Sequence, residues 1–306
     1  MSDLSNPTSR VLDVISLLAA HPTEEFSLAE IARQLDMSKA SAHRLLLTMA
    51  DADFLARNDK HKTYSLGMGL LAVGQAALQK YRGLDVARAE MARLSLELNL
   101  QCSATGVIGG DLLILAREGS PQSHEGLNQV GERRPLIPPL GTCHIAWGED
   151  SLAGPYLALA AQYMSKDSYA WLQESLGLIR HRGYSMSAFG AASRKLGQAR
   201  AAPVARKREG PHWTMVREMM GELTRNEIQL ASASDVDGAG IGRIAAPVFS
   251  SSGTVLFQLV LSGMPGNQTP RKLERYIERL LAAAAAVTSQ INGRLPVARS
   301  GVAVQD

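Results

Sequence analysis

Apolar residues recur at helical spacing in two short segments near the start of the chain, and each segment follows a serine. In residues 28–35 the spacing is i, i+3, i+4, i+7, which places on one helical face Leu28, Ile31, Ala32 and Leu35. Ser27 and Glu30 stand at the S-x-x-E spacing of a capping box where that face begins. The pattern therefore predicts a short helix with a defined amino-terminal end.

The second segment repeats this arrangement after a two-residue turn, Asp36–Met37. Ser38 is positioned to cap a helix whose apolar side contains Ala42, Leu45, Leu46 and Met49. The polar residues that this helix leaves facing outward are Lys39, Ser41, Arg44 and Thr48. Arginine can pair with guanine, and short hydroxyl side chains can reach bases or phosphates, so this outward set suits a helix that lies in the major groove.

A polar, basic turn follows the two helices. Residues 57–64 join two short strand-like pieces and include Lys60 and Lys62. Two short helices with a tight turn, followed by a basic hairpin, are the parts of a winged helix-turn-helix. The predicted DNA-binding residues are Ser38, Lys39, Ser41, Arg44, Thr48, Lys60 and Lys62. The alternative interpretation is a helical hairpin with a solvated polar face.

Positive charge is concentrated on this part of the chain. The formal net charge is only +3, and residues 1–80 hold eight Lys/Arg against nine Asp/Glu, whereas residues 38–65 hold five against three. Sequence-independent affinity for DNA grows with the number of phosphate contacts, so one such domain should bind weakly. We therefore expect a homo-oligomer, a homodimer or a dimer of dimers, on a double-stranded DNA operator.

Length and composition indicate the number of domains and the class of protein. A chain of 306 residues with 45% hydrophobic and 20% charged residues predicts two ordinary globular domains. No apolar run reaches the roughly 18 residues of a membrane span, and the start of the sequence lacks the pattern of a signal peptide. Cys102 and Cys143 are too few for a disulfide framework. These features lead us to expect a cytoplasmic protein with no membrane partner.

The pattern divides the chain into four segments: a winged helix-turn-helix domain over 1–66, a linker helix over 67–82, a second domain over 83–295 and a disordered tail over 296–306. In the second domain, helices are predicted over 84–98, 166–182 and 269–292. Strand pairs are predicted around the turns at Gly109–Gly110 and Ser251–Gly253. Helices at both ends of a set of antiparallel hairpins indicate an α+β fold.

Residues 190–235 fit this pattern poorly, because they are basic and Ala-rich without clear periodicity. We interpret them as an insertion that forms a solvated excursion, with a candidate helix over 211–227. A basic loop of this kind could also contact DNA.

Several motifs together resemble the IclR family of bacterial transcriptional regulators. They are SLAEIARQLDMSKASAHRLLLTM, YSLGMGLLAVG, RRPLIPPLG, IRHRGYS and IAAPVFSSSGTVLFQLVLSG, and the resemblance covers most of residues 5–295. One departure is Asp36, where relatives often carry glycine, although aspartate tolerates the left-handed backbone better than most residues. The resemblance implies a winged helix-turn-helix followed by a GAF-like or profilin-like antiparallel sheet with a small-molecule pocket.

The resemblance also implies an effector site. The positions carried over are Leu140, Gly141, Ser187, Arg243, Val260 and Ser262. A guanidinium at Arg243 can bind a carboxylate through two hydrogen bonds, so we expect a small organic acid, with aromatic acids among the candidates. The alternative is that Arg243 is an ordinary surface arginine.

Motifs for catalysis are absent from the sequence. H-E-x-x-H, C-x-x-C, the P-loop and G-x-S-x-G do not occur, and no histidine stands at metal-binding spacing from another histidine or cysteine. We therefore expect no enzyme activity, no metal and no cofactor. The predicted function is a sequence-specific transcriptional regulator that senses an organic acid and controls a catabolic operon. The alternative is a winged-helix protein whose second domain serves only oligomerisation or protein contacts.

Overall fold

In the computed structural model, two structural units can be described. The description covers residues 7–19, 21, 23–80, 83–119, 130–192, 211–235, 240–266 and 268–296. Residues 7–80 make up most of the first unit, and most of residues 83–296 form the second. The segment that we assigned to a linker, 67–82, thus groups with the first unit as far as it is described. The tail predicted to be disordered lies outside the described residues, except for Pro296.

The first unit is a set of short helices with a small sheet. Its elements are α1 (Pro7–Ala19), β1 (Phe26–Ser27), α2 (Leu28–Gln34), α3 (Lys39–Asp51), β2 (Leu55–Asn58), β3 (Thr63–Leu66) and α4 (Gly69–Lys80). The sheet is antiparallel in the order β1-β3-β2. Leu17 and Leu18 of α1, Ile31 of α2 and Leu46 of α3 form its buried core, so the helix pair is held from behind by α1.

The predicted amino-terminal ends of α2 and α3 are confirmed. The amide of Glu30 donates to the Ser27 hydroxyl at 3.3 Å, and the amide of Ser27 donates to the Glu30 carboxylate at 2.8 Å, which completes the capping box. Ser38 accepts from the amide of Ser41 at 3.2 Å and caps α3. Asp36 has φ of 49°, so the turn keeps the left-handed conformation despite the missing glycine.

The second unit combines helices with a six-stranded sheet. Its elements are α5 (Gly83–Leu98), β4 (Gln101–Ile108), β5 (Asp111–Glu118), β6 (Arg133–Pro135), α6 (Thr142–Ala146), α7 (Asp150–Tyr163), α8 (Lys166–Arg182), β7 (Ser185–Ala188), α9 (Pro211–Gly221), α10 (Arg225–Ile228), a 3₁₀ helix (Ala233–Asp235), β8 (Ile241–Phe249), β9 (Val255–Ser262) and α11 (Pro270–Gln290). The strand order is β6-β5-β4-β9-β8-β7. The predicted helices over 84–98, 166–182 and 269–292 are confirmed within two residues at each end.

The two faces of this sheet have different partners. Val260 and Ala245 belong to a hydrophobic cluster with residues of α6, α7 and α8, so these helices cover the face on which both residues lie. The neighbouring residues Leu261 and Ile244 point to the opposite face, since side chains alternate along a strand. They are fully buried, and the helices α5 and α11 pack on β4 and β8.

Two features of this unit differ from the sequence prediction. The helix α7 was not predicted. The helix predicted over 211–227 is wrong in extent, because α9 ends at Gly221 and a new capping box between Thr224 and Glu227 starts α10.

The described part of the supposed insertion is not a solvated excursion. Trp213, Met220, Leu223 and Ile228 are all at most 5% exposed and belong to the core of the unit. The basic residues between 193 and 210 lie outside the described residues. None of the helices that the structure describes is long and apolar enough to cross a membrane.

Candidate DNA-binding surface and ligand site

The outer side of α3 carries two cations. Lys39 and Arg44 are exposed, while Ala42, Leu46 and Met49 on the other side of the helix are buried. Neither cation takes part in a salt bridge among the described residues. The helix therefore presents its two positive charges to solvent on a rigidly packed support.

The hydroxyl groups predicted to contact DNA have partners within α3. The Ser38 hydroxyl donates to the Ser41 hydroxyl at 3.0 Å while capping the helix, and the Thr48 hydroxyl donates to the Arg44 carbonyl at 3.0 Å. Ser41 is also only partly exposed. All three hydroxyl groups are thus engaged in hydrogen bonds within the helix and its cap. Each would have to share or exchange a hydrogen bond in order to contact a base.

His43 is a candidate contact that the sequence interpretation missed. It is exposed and precedes Arg44 on the outer side of α3. The signal that could have identified it is its i+4 spacing from Lys39, since residues four apart share a helical face. The exposed side of α3 thus contains three nitrogen-bearing side chains, Lys39, His43 and Arg44.

The hairpin of β2 and β3 forms the wing. Lys60 and Lys62 are exposed in its turn, and Lys62 has φ of 54°. Asn58 donates to the Glu25 carboxylate at 3.1 Å, and the Thr63 hydroxyl donates to the same carboxylate. The hydrogen bonds from Thr63 and Asn58 hold the pKa of Glu25 below its usual value. Glu25 thus fixes both strands of the wing at the base of its turn.

In the second unit, four polar residues form one row across the sheet. Ser187 pairs with Arg243, Arg243 with Ser262, and Ser262 with Gln101, on β7, β8, β9 and β4 respectively. Directly paired residues of antiparallel strands lie on the same face. The side chains of Ser262 and Gln101 do lie on one face, because the Ser262 hydroxyl donates to Gln101 Oε1 at 3.3 Å. We call these four residues the Arg243 row.

Val260 lies next to the row on the same face. It is two residues from Ser262 along β9 and pairs with Ser103 and Ala245. The structure therefore brings together Ser187, Arg243, Ser262 and Val260, four of the six residues predicted to bind an effector.

Leu140 and Gly141 lie in the turn that leads into α6. Leu140 is in the hydrophobic cluster with Val260, and its carbonyl accepts a hydrogen bond from the Tyr156 hydroxyl at 3.1 Å. Gly141 has φ of 72°, and a Cβ atom there would lie 2.3 Å from Leu136 Cδ1. The backbone of this turn therefore favours glycine, and a Cβ atom there would also require the Leu136 side chain to shift.

Arg243 is half-buried on β8. Its pKa is lowered to about 10, first by burial of the guanidinium and then by the positive charge of Arg134, while Tyr156 acts in the opposite direction. No carboxylate in the described part of the chain pairs with it. A half-buried guanidinium without a counter-charge is stabilised when an anion joins it, so the site suits a negatively charged ligand.

Two further groups of the row lack partners. Ser187 and Gln101 are each 3% exposed, and among the described residues neither the Ser187 hydroxyl nor Gln101 Nε2 makes a hydrogen bond. Buried polar groups normally have hydrogen-bond partners, so these two donors are available to acceptor atoms that are not part of the described chain.

Gln101 and Tyr156 were not predicted as site residues. Gln101 could have been identified from the sequence pattern of its strand. Residues 101–105 alternate polar and apolar, and all five are buried, so one face of β4 is polar although it is covered.

Comparison with known proteins shows what the chain is similar to. A family model described as the IclR helix-turn-helix domain matches residues 7–59. The HTH-type transcriptional regulator KdgR of Escherichia coli (strain K12) is 29% identical over 146 residues, which are 45% of this chain and 54% of KdgR. KdgR of Dickeya chrysanthemi is 28% identical over 183 residues, 58% and 60% of the two chains. The chain thus spans little more than half the length of these relatives.

In its helix-turn-helix region the chain is similar to the IclR family. Solved structures of IclR regulators share its fold along almost the whole length of the chain. An IclR transcriptional regulator from Alicyclobacillus acidocaldarius superimposes with a TM-score of 0.64 at 18% identity, covering 93% of this chain and 98% of the other. An IclR homolog from Microbacterium hydrocarbonoxydans, complexed with 4-hydroxybenzoate, gives 0.64 at 17% identity, covering 94% and 99%. At these identities the likeness concerns the fold alone, and it confirms the predicted fold class.

Proposed function

We propose that this protein is a sequence-specific DNA-binding transcriptional regulator of the IclR type. The observation that carries the proposal is the exposed, cationic side of α3, which is capped, packed from behind and followed by a wing with two exposed lysines. In this arrangement Arg44 is the candidate for base readout, while Lys39, Lys60 and Lys62 neutralise phosphates.

The second part of the proposal is that the carboxy-terminal unit senses a small organic acid. Arg243 would bind a carboxylate, Ser187 and Ser262 would donate further hydrogen bonds, and Leu140 and Val260 would supply apolar walls. The acid bound by the Microbacterium structure supports this class of ligand. By analogy, the regulated genes would form a catabolic operon for that acid.

A homodimer or a dimer of dimers follows from the small number of cations in one copy, because affinity scales with phosphate contacts. The helix α4 offers an apolar surface for such assembly. Met68, which precedes it, is 77% exposed, and Leu71 and Val73 are 59% and 54% exposed. A second copy of the chain would cover these residues.

Substitution of Arg44 tests the DNA-binding proposal. Arg44→Ala should weaken binding to the DNA upstream of the protein's own gene by about 1–3 kcal/mol, if Arg44 pairs with a base. Gel-shift titration measures this, with Arg271→Ala as the matched control, since Arg271 is an exposed arginine of α11 in the other unit. Equal affinities of the two variants would contradict the role of Arg44.

A further inference from the structure

The Arg243 row ends on β4 in a glutamine whose amide is only partly bonded. Gln101 is 3% exposed, and its Oε1 accepts a hydrogen bond from the Ser262 hydroxyl at 3.3 Å. Its Nε2 is buried and has no hydrogen-bond partner among the described residues. An unpaired buried donor is unfavourable, so an acceptor atom from outside the chain would be stabilising at this position.

This amide and the guanidinium of the row are well separated. Arg243 lies on β8 and Gln101 on β4, with β9 between them. Neighbouring strands are about 4.8 Å apart, so the Cα atoms of the two residues are separated by roughly 10 Å. Ser187, whose buried hydroxyl also lacks a partner within the described ranges, pairs with Arg243 from β7 on the other side. The unpaired donors therefore stand at opposite ends of the row.

An apolar surface borders the space between these ends. Val260 lies two residues from Ser262 on the same face of β9, and it belongs to the same hydrophobic cluster as Leu140. A ligand that reaches both ends of the row would lay its middle part against this surface. That part of the ligand should be hydrocarbon.

The amide end of the row suits a hydroxyl group better than other oxygen groups. With the Ser262 proton directed to Gln101 Oε1, the Ser262 oxygen can still accept a hydrogen bond, and Gln101 Nε2 can donate one. If the amide is turned over, Nε2 donates to Ser262, and the free groups become the Oε1 acceptor and the Ser262 proton. In both arrangements one donor and one acceptor are free, and a hydroxyl group can pair with both.

We propose that the effector is a hydroxy acid whose hydroxyl group lies several carbons from its carboxylate, and that Gln101 determines this specificity. Arg243 and Ser187 bind the carboxylate, and Gln101 and Ser262 bind the hydroxyl group. The inference rests on the proposed acid-sensing function and names the class of acid. A hydroxyl group next to the carboxylate is too close to it to reach Gln101 while the carboxylate is held between Arg243 and Ser187.

Calorimetry with positional isomers tests the proposal. The full chain is titrated with 4-hydroxybutyrate, 5-hydroxypentanoate and 6-hydroxyhexanoate. Each is compared with its 2-hydroxy isomer and with the unsubstituted acid of the same number of carbons. We expect the best terminal hydroxy acid to bind about tenfold or more tightly than both, because only its hydroxyl group pairs with the buried amide.

Substitution of Gln101 localises the hydroxyl group. Gln101→Leu should lower the affinity for the best terminal hydroxy acid to that of the unsubstituted acid, because leucine offers no hydrogen bond. The affinity for the unsubstituted acid should stay within about twofold, since that acid does not use the amide. Gln173→Leu is the matched control, because Gln173 is an exposed glutamine of α8, and it should change neither affinity.

The outcomes separate the inference from the function on which it rests. Equal affinity of the wild-type chain for a terminal hydroxy acid and its unsubstituted acid, at all three lengths, would overturn the inference, while acid sensing would stand. Tighter binding of the 2-hydroxy isomers, or a preference that survives in Gln101→Leu, would do the same. Should Gln101→Leu fail to fold, the comparison of isomers on the wild-type chain still decides. Absence of binding by all nine acids would overturn the inference together with the acid-sensing proposal.

Discussion

His144 shows how a single residue can tie the stability of the carboxy-terminal unit to pH. It is 3% exposed on α6, and its Nε2 lies 3.1 Å from the Thr105 carbonyl, to which the neutral ring donates. Burial lowers the pKa of His144 to about 4, and the hydrogen bond to Thr105 opposes this only in part. The protein therefore folds around a neutral imidazole.

This residue predicts a loss of stability in mild acid. Since the unfolded histidine titrates near pH 6.5 and the folded one near 4, the stabilisation is complete above about pH 6.5 and is lost as the pH falls toward 4. From about pH 7.5 to about pH 5 the free energy of unfolding should fall by about 2 kcal/mol. Urea unfolding at the two pH values measures this.

The control is His144→Gln, whose amide can donate to the Thr105 carbonyl but does not titrate. Its stability should be nearly constant over the same range. An equal fall in both proteins would show that another group is responsible.

Single residues also show what the sequence could not predict about the ligand site. Arg243 was identified through family resemblance, and its neighbours Ser187 and Ser262 with it. Tyr156 was not identified, because it is far from Arg243 in sequence and comes near the strand of Arg243 only through the packing of α7. Proximity of this kind is not encoded in local spacing.

At the scale of elements, prediction succeeded where the signal is local. The amino-terminal ends of α2 and α3 could be predicted because the side chains of Ser27, Glu30 and Ser38 accept hydrogen bonds from backbone amides three residues away. The helix α7 was missed for the opposite reason. It contains Gly154 and Pro155, both unfavourable within helices, and its buried side is narrow, since only Tyr156 and Ala160 of this helix are buried. Tertiary packing, rather than propensity, stabilises it.

Substitution by alanine should change the free energy of unfolding in opposite directions at Gly141 and Gly154. Gly141→Ala should lower the free energy of unfolding by about 2 kcal/mol or more, because φ is 72° and the new Cβ would collide with Leu136. Gly154→Ala should raise it by about 0.5–1 kcal/mol, since Gly154 lies within α7 with open space around it. Chemical unfolding of both variants measures the difference. Equal effects would contradict the assigned backbone conformations.

At the scale of the whole molecule, the two proposed sites lie in different units. The first carries the exposed cations of α3 and the wing, and the second carries the Arg243 row. An acid can regulate DNA binding only if it prefers one of two states of the protein that differ in affinity for the operator. The proposed function therefore requires a measurable coupling between the sites.

Operator affinity with and without bound acid is the most direct test of this account. Fluorescence anisotropy gives the dissociation constant of the labelled upstream DNA, first alone and then with the best-binding acid at saturation. We predict a change of about 5- to 150-fold, in either direction, that Arg243→Gln abolishes. The same dissociation constant with and without acid, under conditions where calorimetry shows the acid bound, would contradict the proposed coupling between acid binding and operator binding.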